Sequence, residues 1–132
     1  MRCVSLGMAL FMALTFTPAT AASPTSDPVN TRLEAPGIAR GGCSGPSRWR
    51  LTVRREAGAF RVTLVVRGGP ADQRWNIFID HDGRGFFAGS RVSNANGAVS
   101  VRRTASDLRG VDRFRFGANG KHGESCSGRA RA

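Results

Sequence analysis

Residues 48–67 read RWRLTVRREAGAFRVTLVVR, two alternating runs either side of an Ala57-Gly58 pair. Trp49, Leu51 and Val53 alternate with Arg50, Thr52 and Arg54; after the pair, Phe60, Val62, Leu64 and Val66 alternate with Arg61, Thr63, Val65 and Arg67. A period of two puts one set on a buried face and the other toward solvent, which is the pattern of a half-buried strand. Two such runs joined by a short glycine turn predict a β-hairpin.

The same period recurs downstream. After the break at Gly68-Gly69-Pro70, Trp75, Ile77 and Ile79 alternate with Asn76, Phe78 and Asp80. Phe86 to Val92 forms a shorter fourth strand, and an Asn94-Ala95-Asn96-Gly97 turn leads to Val99 and Val101, which alternate with Ser100 and Arg102. A corner follows, then Phe114 and Phe116 inward with Arg113 and Arg115 outward; residues 125–129 supply a weaker last strand. No stretch beyond residue 22 keeps a helical period for three turns. The chain therefore predicts an all-β fold: a single antiparallel, immunoglobulin-like β-sandwich of about seven short strands, with a small Greek-key barrel fitting the same strand count. The expected core is Trp49, Leu51, Phe60, Val62, Leu64, Trp75, Ile77, Ile79, Val99, Val101, Phe114 and Phe116. Both tryptophans share the phase of the aliphatic positions, which assigns them to packing rather than to a ligand platform.

Outside these strands, residues 1–22 read as a signal peptide. Arg2 precedes a largely apolar run from Cys3 to Phe16, then Pro18 and the small residues Ala19 to Ala22. The run is shorter than the roughly twenty residues a membrane span needs, so no span is expected after cleavage. An extracellular protein of 132 − 22 = 110 residues follows, one domain in length. Residues 23–42, with Pro24, Pro28, Pro36 and a Gly41-Gly42 end, read as a flexible leader; 43–128 as the packed domain; 129–132 as a basic tail. Cys43 and Cys126, at opposite ends of that domain, are expected to form one disulfide in an oxidising compartment.

The net charge is +11, and removal of Arg2 leaves +10; all but one of the 20 basic residues are arginine. A guanidinium donates two parallel hydrogen bonds to one phosphate, sulfate or carboxylate, so the composition points to anionic partners. If the first, second and fifth strands share a sheet, Arg50, Arg54, Arg61, Arg67 and Arg102 project from its outer face, and Arg113 and Arg115 form a second outward row. These seven are the candidate anion-binding residues.

The stretch Ile77 to Phe87, IFIDHDGRGFF, bears on metal chemistry. Counted from Asp80 as a calcium loop, Asp82 and Gly85 fall at ligand position three and turn position six, but Arg84 and Arg91 fall at ligand positions five and twelve. Cations at ligand positions oppose a dication, so the stretch reads as a hairpin turn at Asp82-Gly83, with a bulge at Gly85 and no metal site. His122 and Glu124 would support a small hydrolase only if they met arginines in a closed pocket; on a glycine-rich loop they read as a solvated turn. No nucleophile elbow, zinc-ligand spacing, phosphate loop or cofactor motif appears. No enzyme activity and no cofactor are expected.

Residues 99–125, VSVRRTASDLRGVDRFRFGANGKHGES, carry Leu108, Gly110, Phe114, Phe116, Ala118, Asn119, Gly123 and Ser125 in an order that resembles the last three strands of fibronectin type III domains. Phe114 stands where such domains have a corner tyrosine. The signal peptide, early Cys, Trp strand and late Gly-Glu-x-Cys together resemble small secreted β-sandwich proteins of high-GC bacteria without assigned activity. The resemblance implies a fold and a compartment. The expected function is a secreted, non-enzymatic binding or structural module whose basic faces meet an anionic polymer or cell surface without sequence-specific nucleic-acid recognition. The alternative is a protein-interaction module in which the arginines serve solubility.

Overall fold

The computed structural model describes residues 32–35 and 37–132, the first four as backbone only. The signal-peptide reading of residues 1–22 lies outside the described residues. Nine antiparallel strands follow in order: β1 (Arg32–Ala35), β2 (Ile38–Gly42), β3 (Arg48–Glu56), β4 (Ala59–Arg67), β5 (Arg74–His81), β6 (Arg84–Val92), β7 (Val99–Ser106), β8 (Arg113–Gly120) and β9 (Ser125–Arg131). They form a five-stranded sheet, β1-β2-β3-β4-β7, and a four-stranded sheet, β6-β5-β8-β9. This is the expected sandwich, and the first, second and fifth of the expected strands, now β3, β4 and β7, do share a sheet.

All twelve residues expected in the core are buried, joined by Ala39, Val53, Val66, Ala105, Ala118, Cys126 and Ala130. Trp49 spans the two layers: its ring meets Phe116 edge-on at 4.9 Å, and its indole N–H donates to the Gly42 carbonyl at 3.1 Å. Cys43, just past β2, is bonded to Cys126 on β9, so the disulfide also ties one sheet to the other.

Two boundaries differ from the sequence reading. Ile38 to Gly42 belongs not to a leader but to β2, which pairs with β3 from Ile38↔Thr52 to Gly42↔Arg48. The segment has one bulky apolar residue, Ile38, and two glycines, so its alternation is too faint to read. It is strand because β3 would otherwise be an open edge, and Ala39 is small enough to fit fully buried beside Leu51. At the other end, the expected tail 129–132 continues β9: Arg131 pairs with Arg113, and Ala132 exchanges backbone bonds with Asp112.

The turns follow from residue chemistry. Ala57 and Gly58 have φ of 51° and 76°, and Asp82 and Gly83 have 50° and 78°, so both hairpins close through consecutive left-handed residues whose twist matches the strands. The bulge falls where Asp80 pairs with Gly85 and Ile79 with Phe87, which leaves Phe86 as the extra residue beside Gly85. The consequence is that Phe86 and Phe87, adjacent in sequence, both pack against the core.

Candidate anion-binding face

The outer face of the five-stranded sheet is built by period two and register. Arg48, Arg50 and Arg54 on β3, Arg61 and Arg67 on β4, Arg40 on β2 and Arg102 on β7 all alternate with buried residues and are exposed. Register brings three pairs face to face: Arg40↔Arg50, Arg48↔Arg67 and Arg54↔Arg61, while Arg102 sits opposite Thr63. Among the described side chains of this face Glu56 is the sole carboxylate, and it is bonded to Arg61 at 2.5 Å. Among the described residues Arg48, Arg50, Arg54, Arg67 and Arg102 make no ion pair. Between them lie Thr52, Thr63 and Val65, half-buried and short.

The sequence found five of these seven. Arg48 begins the same alternation, whereas Arg40 lies in a segment whose sequence reads as a leader.

The outer face of the four-stranded sheet carries Arg113 and Arg115, as expected, opposite Arg131 and Arg129 on β9. Here the charge is answered in part, since Arg115 is bonded to Asp80 at 2.6 Å. Phe78, 42% exposed, fills this face at the position of Gly117, where an added Cβ would lie 2.3 Å from the ring. Between the sheets, at the side where edge strands β6 and β7 approach, Phe87 has the guanidinium groups of Arg91 and Arg103 within 5.1 and 4.8 Å of its centroid. Each is a cation–π contact.

The calcium-loop residues diverge. Asp80 turns outward to Arg115, whereas Asp82 accepts the Arg113 N–H at 2.9 Å. His122 and Glu124 line one open groove with Gln73, Ser44 and Pro46, and no arginine lines it. Both Glu124 oxygens are occupied by Ser47, from its backbone N–H at 2.7 Å and its hydroxyl at 2.9 Å. That carboxylate therefore clamps the loop before β3 onto the loop before β9.

No protein-family model, no curated protein and no solved structure matches this chain.

Proposed function

We propose that this is an exported, non-enzymatic binding module that lays the arginine face of its five-stranded sheet on an anionic polymer, a phosphate-rich wall polymer or an acidic polysaccharide. The single observation that carries this is the register of that face: three pairs of arginines stand opposite one another, and five of the seven have no carboxylate partner among the described residues. Like charges placed directly across a ladder are destabilising, so a face selected only for solubility gains nothing from this arrangement over interspersed signs. A polymer of fixed negative charges turns the same repulsion into binding energy by releasing its counterions, and needs no sequence or shape code on the protein. Export is supported by the residues at the N-terminus and is compatible with the disulfide. The likeness to fibronectin type III domains rests on the residues of 99–125.

The test is retention of the purified oxidised protein on the producing cell's wall fraction and on polyphosphate resin across a salt series. Wild-type protein should elute late, with a steep dependence on salt, and an Arg50→Ser, Arg54→Ser, Arg61→Ser triple variant should elute early with a shallower one. An Arg113→Ser, Arg115→Ser, Arg129→Ser variant removes the same formal charge from the other sheet and should elute later than the first variant. Equal elution of the two variants would mean that only net charge matters; wall retention indifferent to salt would favour a protein partner instead.

A further inference from the structure

We propose that His81, Asp82 and Asp112 form a binding site for a divalent transition-metal ion, of which zinc is the best fit. The three lie at one end of the four-stranded sheet: His81 ends β5, Asp82 opens the turn after it, and Asp112 immediately precedes β8. One ligand atom from each falls within 4.8 Å of the others. His81 Nε2 is 2.5 Å from Asp112 Oδ1 and 3.6 Å from Asp82 Oδ2.

Asp112 carries one of two buried side-chain polar atoms without a hydrogen-bond partner among the described residues, the other being Gln73 Nε2. Asp112 is 1% exposed, and its Oδ1 accepts from His81 and from the Leu108 N–H at 3.2 Å. Its other oxygen, Oδ2, is buried without any hydrogen-bond partner. A buried carboxylate oxygen with nothing to balance it is costly, and native structures rarely keep one without a ligand, water or ion. Even a protonated His81 brings one positive charge to two carboxylates. A dication balances both.

The donor set defines the class of ion. One imidazole nitrogen with two carboxylate oxygens suits zinc, cobalt or manganese better than calcium, which takes six or more oxygens. Tetrahedral bonds of about 2.0–2.1 Å separate donor atoms by roughly 3.3 Å, so Asp82 Oδ2, 3.6 Å from Nε2, already stands near the required distance, and the 2.5 Å contact of Asp112 with Nε2 must open for the ion to enter. Zinc takes the neutral ring through Nε2, with the proton shifting to Nδ1. The frame is rigid: the His81 ring stacks on Phe114 at 4.3 Å, and the backbones of Asp82 and Asp112 are bonded to Arg113 and Ala132. Asp82 keeps Oδ1 on the Arg113 N–H, an outer-shell bond that orients its free oxygen. The fourth position would be a water reaching in past Asp82, the one exposed member. This is not the calcium loop of the sequence: Asp80 takes no part, and Asp112 comes from a distant segment.

Titration calorimetry with zinc in chelator-free buffer, paired with thermal melts in zinc and in EDTA, tests the site. The oxidised wild-type protein should bind one zinc per chain and melt higher as zinc rises. Asp82→Asn retains an oxygen for the Arg113 N–H, so it should melt as wild type in EDTA yet bind zinc about tenfold or more weaker. Asp112→Asn should lose binding too, and if it does not fold, Asp82→Asn carries the test alone. His122→Ala should bind zinc as wild type does. Absence of one-equivalent binding at millimolar zinc, undiminished binding by Asp82→Asn, or loss of binding on His122→Ala would each overturn the site.

Discussion

Arg54 and Arg61 stand directly opposite one another across β3 and β4, both exposed, with Glu56 bonded to Arg61 alone. An opposed like-charge pair costs about 0.2–1 kcal/mol, so the fold would gain by giving one of them up. Arg54→Thr should raise the unfolding free energy by roughly 0.5 kcal/mol at low salt, and by less as salt screens the repulsion. The same variant should bind polyphosphate more weakly. Urea unfolding at two ionic strengths, beside the retention assay, reads both effects. Opposite signs in the two assays would mark Arg54 as functional charge; no gain in stability at low salt would show that the two side chains avoid each other.

The Cys43–Cys126 bridge closes a loop across 83 positions, nearly the whole sandwich. Loop-closure entropy for that length is worth about 4.5 kcal/mol, comparable with the net stability of a small domain. A Cys43→Ser, Cys126→Ser variant should therefore be largely unfolded at 37 °C while the oxidised protein remains folded, by circular dichroism and urea titration. A double variant that unfolds at the wild-type urea midpoint would mean that the β2 and β9 packing around Trp49 suffices without the bond.

Much of this molecule is legible in its sequence because period two is a strong signal when apolar residues are large. Trp49, Leu51, Phe60, Leu64, Trp75 and Phe116 mark their strands unaided. Ala39 and Ala130 are as fully buried, but their small side chains sit among glycine and arginine, so β2 reads as leader and the end of β9 as tail. The arginine face was legible to the extent that its strands were. The juxtaposition of His81 with Asp112 was not, because it depends on the register of β5 against β8, which aligns His81 with Phe114. No spacing within either segment encodes that pairing; it is set by long-range packing.

Ala57 occupies the first left-handed position of the β3–β4 turn with φ of 51°, and its side chain is exposed. The left-handed region costs an ordinary L-residue roughly 1–2 kcal/mol, and asparagine is among the residues that tolerate it best. Ala57→Asn removes no packing and should stabilise the protein by about 0.5–1 kcal/mol, seen as a higher urea midpoint with an unchanged slope. A lower midpoint would mean that the turn relaxes to another type in solution.

Trp49 enters a slot whose walls are glycines from two strands: a Cβ built at Gly128 would lie 2.3 Å from Cη2 of the indole, and one at Gly41 2.8 Å from Cζ2. Neither distance is tolerated by close-packed atoms, and the ring has little room to retreat, being held by Phe116 on one side and by its bond to the Gly42 carbonyl. Gly128→Ala should therefore cost about 1–3 kcal/mol, the usual range for overpacking. Trp49 is one of only two tryptophans, so the strain should also appear as a shift in native-state fluorescence. Gly85→Ala, where an added Cβ meets nothing within 4 Å, is the matched control and should leave the emission unchanged. If Gly128→Ala unfolds at the wild-type midpoint with native emission, β9 is free to move off Trp49. The inter-sheet contact at that corner would then depend on the disulfide rather than on the ring.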